Sequence, residues 1–299
     1  MIQHGFTTGG ATVLPSARAK VLFDGMFSTP RLQHPECVAI GPDGFVWTGS
    51  ENGQILRIAP DGTGIEEVVS IGGFTLGLAF DGHSALYACE QRSAAVYRID
   101  LKDRHVRRFT PAGIRIPNYP VVDRRRNRLL VSDSHAFDSP GPGIWAYDLD
   151  TGAGGLWYAD ALDFANGMAL SRNGSRLFVC ETLARRVSQI TVRADGNAGP
   201  AEPFATDLPG LPDGIAFDDG GQLFVGCYEP SRILRVPAEG GRAEVYVEDP
   251  TAHLLAHPTN IAFNGSLLFT ANLGRWHITQ IETDTTGRRL CDLVKEAGP

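Results

Sequence analysis

The chain has 299 residues, 42% of them hydrophobic and 20% charged, a composition that excludes disordered and fibrous classes. Lys and Arg number 27 against 34 Asp and Glu, giving a net charge of −7 without a basic stripe, so no nucleic-acid partner is expected. The 35 glycines and 19 prolines disfavour a helical bundle and favour short strands between turns.

Residues 1–18 carry no apolar signal core and are expected to form a peripheral arm. No stretch approaches the ~18 apolar residues of a membrane span. The five cysteines are odd in number and lack a C-x-x-C pair, which argues against a disulfide framework or a thiolate zinc site. A cytoplasmic, reduced protein is expected, with no membrane association and no obligate protein partner.

From residue 34 onward one grammar recurs six times: an anchor residue, an apolar triplet, a polar turn, a second apolar run and a third. The first repeat reads Glu36, Val38-Ala39-Ile40, turn Gly41 to Gly44, Phe45-Val46-Trp47, then Ile55 to Ile58. The second has Leu76, Leu78-Ala79-Phe80, Leu86-Tyr87-Ala88 and Val96 to Ile99. The third has Asn118, Val121-Val122, a turn holding Arg124 to Arg126, then Leu129-Leu130-Val131 and Ile144 to Tyr147. The fourth opens on Asn166, the fifth on Asp213 and the sixth on Thr259, each followed by the same three runs. Anchor spacings are 40, 42, 48, 47 and 46 residues. Runs of three or four apolar and β-branched residues bounded by Gly, Asn and Asp are strands. Weaker fourth strands follow, at Glu67 to Ile71, Val106 to Phe109 and Glu244 to Val247.

This pattern predicts an all-β, six-bladed β-propeller with four-stranded antiparallel blades around a central channel. The blades begin near residues 34, 75, 116, 164, 211 and 257 of a single 1–299 domain. Ala19 to Phe23 and Leu290 to Val294 are equal candidates for the strand that closes the ring.

The anchors precede the innermost strand of each blade and therefore cluster at one channel mouth. Glu36, Asn118, Asn166 and Asp213 bring two carboxylates and two amides together, an oxygen-rich set suited to one divalent cation. Calcium leads among the candidates, ahead of magnesium, manganese, zinc and ferrous iron. His34 and His257 stand in equivalent places two residues before their anchors, each a possible base or substrate contact or a simple rim residue. Glu90, Asp133, Glu181 and Asn272 match one another after the second strand, and blade-to-blade hydrogen bonding is expected of them. Cys89 and Cys180 are read as buried packing, and Phe137, Trp157, Tyr228 and Trp276 as core or rim aromatics.

The segments His34-Pro35-Glu36-Cys37-Val38-Ala39, Phe164 to Ser171 and Leu211 to Asp218 resemble the senescence marker protein (regucalcin)/gluconolactonase/luciferin-regenerating enzyme family, over about residues 19–282. Residues Trp47 to Ile58 look instead like strictosidine-synthase-like propellers. The resemblance implies a catalytic divalent cation on Glu36, Asn166 and Asp213, with Asn118 as a substrate contact and Arg115 as a shifted counterpart of the family's arginine. It implies a metal-dependent hydrolase that opens a small-molecule lactone; Asp213 is the expected proton acceptor because a ligand's second oxygen can face the water, and His34, by its place before the first anchor, is counted among the substrate contacts. The alternatives are aryl-ester or phosphotriester hydrolysis, strictosidine-synthase-like condensation, or a non-catalytic propeller tied together by its ion.

Overall fold

A computed structural model describes residues 5–288. Strand β1 (Ala19–Asp24) comes before the first blade, and the repeats then supply four strands each. Blade 1 is β2 (Ala39–Ile40), β3 (Val46–Gly49), β4 (Gln54–Ile58) and β5 (Ile65–Ser70). Blade 2 is β6 (Thr75–Phe80), β7 (Ala85–Glu90), β8 (Ala95–Asp100) and β9 (Val106–Arg108). Blade 3 holds β10 (Pro117–Asp123), β11 (Arg128–Asp133), β12 (Gly141–Asp148) and β13 (Gly154–Leu162). Blade 4 holds β14 (Ala165–Leu170), β15 (Arg176–Glu181), β16 (Arg186–Val192) and β17 (Ala198–Ala205). Blade 5 is β18 (Pro212–Phe217), β19 (Leu223–Cys227), β20 (Arg232–Val236) and β21 (Glu244–Glu248). Blade 6 has β22 (Pro258–Asn264), β23 (Leu267–Asn272) and β24 (His277–Glu282), with β1 as its outer strand.

The sheets are antiparallel throughout, and the innermost strands β2, β6, β10, β14, β18 and β22 touch in succession until β22 meets β2. Residues 19–24 therefore close the ring, from Ala19 opposite Ile281 to Asp24 opposite His277. The other candidate, Leu290 to Val294, lies outside the described residues. No helix among the described residues is long and apolar enough to cross a membrane.

The core sits between blades. One cluster joins Tyr87, Cys89 and Val96 of blade 2 to Leu129, Val131 and Tyr147 of blade 3. Another joins Phe269 and Ile278 of blade 6 to Val46, Leu56 and Ile58 of blade 1. Strand β7 is buried along its whole length, which explains why Ala85 to Cys89 read as an apolar run and not as an alternation. Each blade covers its apolar face only against the next, so the ring is the stable unit. Cys37, Cys89, Cys180 and Cys227 are free and buried in these interfaces.

Candidate metal and catalytic site

Five innermost strands slip register at the same point, between Thr75 and Gly77, Pro117 and Pro120, Ala165 and Met168, Pro212 and Ile215, and Pro258 and Ile261. Bulges of this kind release residues from the ladder and re-aim their side chains. Asn118, Asn166 and Asp213 sit at these slips, one per blade. The strands approach closely here: a Cβ on Gly214 would lie 2.5 Å from the Asn260 backbone, so only glycine fits. Blade 1 differs, because β2 has two residues and Glu36 lies ahead of it. Glu36 is instead gripped by blade 6. Its carbonyl accepts from the Asn260 N–H at 3.3 Å, from Thr259 Oγ1 at 2.5 Å and from Asn260 Nδ2 at 2.9 Å.

A repeated relay fixes which way the amides face. Asn118 Nδ2 donates to Ser134 Oγ at 2.9 Å, and that hydroxyl donates to the Ala165 carbonyl at 2.8 Å. Asn166 Nδ2 donates to Thr182 Oγ1 at 3.1 Å, and Thr182 donates to the Pro212 carbonyl at 2.7 Å. Each hydroxyl has one proton, which the carbonyl takes, so toward the amide it can only accept. The amide must then show its NH2 to the hydroxyl and turn its oxygen away. Asn166 Nδ2 also donates to Asp213 Oδ2 at 3.2 Å, and Asn260 Nδ2 to Glu36 Oε2 at 2.9 Å. What remains is a set of buried oxygens without hydrogen-bond partners: Oδ1 of Asn118, Asn166, Asp213 and Asn260.

Such orphaned acceptors are costly unless something electropositive meets them. The two acids sharpen the point. Burial pushes the Asp213 carboxyl up to about 7, against the pull of the Asn166 amide. Burial, reinforced by the Asp213 charge, holds Glu36 well above the carboxylate range despite its bond from Asn260. Neither forms an ion pair with Lys, Arg or His among the described residues. No cluster of three or more His, Cys, Asp or Glu is close enough to hold a metal among those residues. A cation here would rest on two carboxylates and complete its shell with amide oxygens. That donor set suits a hard divalent cation.

The other predicted residues fall around this cradle. Thr259 stands at the anchor position, but its hydroxyl is spent on backbone carbonyls; the neighbouring Asn260 supplies the amide, and the anchor alignment missed it. His34 Nδ1 lies 2.9 Å from the Leu273 carbonyl and its Nε2 accepts from Trp276 Nε1 at 2.9 Å. Both nitrogens are engaged, so His34 offers no free lone pair. His257 Nδ1 lies 2.8 Å from the Tyr228 carbonyl and 3.2 Å from the Glu229 carboxylate, with the ring stacked on Tyr228. Its Nε2 bonds to no described residue, so His257 is the one of the pair with an open acceptor. Arg115 is exposed on the rim, with Nη1 2.9 Å from His135 Nε2.

Glu90, Asp133, Glu181 and Asn272 do recur structurally, but they tie loops and do not bridge neighbouring sheets. Asp133 accepts from the backbone N–H of Arg115, Ile116 and His135. Asn272 likewise accepts from Ala256 on the segment entering its blade. Glu90 accepts from Arg92 and Ser93 of its own hairpin turn, while the other three face the incoming loop, whose N–H groups have no ladder partner. Phe137 is exposed and packs on Phe164, and Trp157 donates to the Gly196 carbonyl away from the channel.

Fold and site together define a six-bladed propeller with an oxygen-lined cradle at one mouth of its channel. Residues 157–271 match the SMP-30/Gluconolactonase/LRE-like region, and residues 27–58 match the strictosidine synthase-like N-terminal region. Strictosidine synthase-like 6 of Arabidopsis thaliana is 28% identical over 213 residues, covering 65% of this chain and 56% of that protein. A pentonolactonase of Haloferax volcanii is 25% identical over 225 residues, covering 73% and 72%. The calcium-binding protein regucalcin of Agrobacterium tumefaciens superposes with a TM-score of 0.71 at 17% identity, over 93% of this chain and 97% of that one. The chain spans about half the length of the plant relatives it matches.

Proposed function

We propose that the protein is a divalent-cation-dependent hydrolase that opens a lactone or a related small cyclic ester. The set of partnerless oxygens beside Glu36 carries this reading. Glu36, Asn166 and Asp213 would hold the cation, with Asn260 keeping Glu36 in place. Calcium is the first choice, in keeping with the hard-oxygen donors and the calcium-binding fold relative. When bound, the cation supplies Lewis-acid polarisation of the ester carbonyl and a more acidic water at neutral pH. Asp213 would face the cation with one carboxylate oxygen and take the proton of the attacking water on the second. Asn118 offers Oδ1 to a substrate hydroxyl and orients the ring, which is consistent with a sugar lactone such as the Haloferax relative's name denotes.

The decisive measurement is metal content by mass spectrometry on protein purified without chelator, with Glu36→Ala in parallel. About one divalent ion per chain, lost in the variant together with lactone hydrolysis, is the expected result. No bound ion, and none taken up on adding calcium, manganese, zinc or ferrous iron, would refute the reading. The match of residues 27–58 favours a second possibility, a strictosidine-synthase-like condensation that needs no metal. Turnover that survives chelation would select it.

A further inference from the structure

The cradle occupies one mouth of the channel; the opposite mouth is built quite differently. Past the cradle the innermost strands run on toward the turns that join them to the second strands. There they enclose a cavity of about 360 Å³. Its wall takes an apolar side chain from every blade, including Ile40, Leu78, Val121, Leu170, Phe217 and Phe263. A volume of this size lies at the lower end of ligand sites, which are apolar with a few placed polar groups.

The polar groups at this mouth are cationic. Arg124, Arg125, Arg172 and Arg288 all border the cavity. Two acids border it as well, and both are already engaged. Asp81 pairs with Arg124, and Asp123 accepts from Arg126 at 3.1 Å and Arg128 at 3.0 Å. Arg172 is matched by Asp219 at 3.3 Å. Positive charge is left over. Arg125 is exposed on its turn and forms no ion pair with any described residue. Arg288 is half-buried, lies over the Phe217 ring at 4.6 Å and donates to the Leu170 carbonyl at 2.5 Å, and it forms no ion pair with any described residue. Burial, and then the neighbouring Arg172, pull its guanidinium down to about 10 against the opposing charges of Asp219 and Asp218, so it stays charged at neutral pH with no directly paired carboxylate among the described residues. A half-buried cation beside an apolar chamber is complementary to an amphiphilic anion: the head satisfies the arginines and the tail displaces water from the wall.

We propose that this mouth is a second ligand site, distinct from the cradle, that takes a small aliphatic anion: a medium-chain carboxylate with its tail among the innermost strands and its head on Arg125 and Arg288. The turns that carry Arg124 to Arg126 and Arg172 lie at the far ends of β10 and β14 from Asn118 and Asn166. Ligand at this mouth therefore leaves the cradle free, and the two sites fill independently.

Isothermal titration of the full chain with octanoate, octanol and acetate tests the assignment. Saturable binding of octanoate is expected, with octanol and acetate each at least about tenfold weaker, since one lacks the head and the other the tail. Arg125→Glu and Arg288→Gln should each weaken octanoate about tenfold, while metal content stays unchanged. Arg125 lies on an exposed turn, so its variant keeps the test valid should Arg288→Gln fail to fold. Octanol binding as well as octanoate, octanoate affinity unmoved by Arg125→Glu, or no saturable binding at all would overturn the proposal. The readout is binding, so its failure is separable from failure of the hydrolase reading.

Discussion

Asn260 shows how one side chain can organise a site without standing in its motif. Its Nδ2 reaches the Glu36 carbonyl, the Glu36 carboxylate and the Leu76 carbonyl, linking blade 6 to blades 1 and 2. Asn260→Ala should lower cation affinity and turnover by roughly 10- to 100-fold, the usual effect of removing a ligand's supporting partner. Thr259→Val should do much less, and equal losses in the two variants would contradict the assignment. The acids give a pH signature. In cation-free protein, Asp213 titrates near 7 folded against about 3.9 unfolded, and Glu36 is raised as well. A raised acid binds protons more tightly in the folded state, so its stabilisation is full below about pH 4 and is lost as pH rises through 7. The melting temperature in chelator should fall across that window, and calcium should add ~2.7 kcal/mol of stability at a hundredfold excess over Kd. A profile in chelator that is flat from pH 4 to 8 would show that the two acids are not buried together. Glu36, Asn118, Asn166 and Asp213 were readable in the sequence because each precedes an apolar run at the repeat spacing. Asn260 was not, since it falls on the bulge position that is Gly167 and Gly214 in blades 4 and 5, and spacing cannot tell which bulge residue turns inward.

At the level of strands and loops, the acids ending the second strands substitute for missing ladder partners. Asp133 takes three backbone N–H groups and the Trp145 indole, and so holds the segment that delivers Asn118. Asp133→Ala leaves those donors buried or poorly solvated and should cost about 3 kcal/mol, read from a urea melt. Turnover should drop alongside, because Ile116 sits two residues before Asn118. A loss under 1 kcal/mol would mean water replaces the carboxylate without penalty. Strand positions were easily read from the apolar runs, but the partners of these acids were not. Their recurrence announces a structural role, and only the path of the incoming loop decides which N–H groups they meet.

For the molecule as a whole, repetition made the fold readable: the sixfold grammar fixes blade number and strand count before any contact is known. Ring closure was not readable, because both terminal candidates are short, largely apolar runs and neither has a sequence-local partner. The pairing of β1 with β24 makes residues 19–24 the clasp of the ring. A chain that begins at Gly25 should lose its cooperative melt, as β24 is left as a bare edge and Ile281 and Phe263 lose cover from Ala19 and Leu14. A synthetic peptide of residues 13–24 should restore the melt. If the truncated chain melts as sharply without the peptide, the clasp is dispensable.

That clasp also sets a timetable for the newborn chain. Ala19 leaves the ribosome 262 residues ahead of its partner Ile281. At ordinary translation speed the first strand waits on the order of 10 to 50 seconds for its mate. By the end of that interval five blades stand as an open arc with two uncovered ends. Until β24 arrives, the edge of β23 and the free strand β1 are the surfaces through which two such arcs would join each other instead of closing.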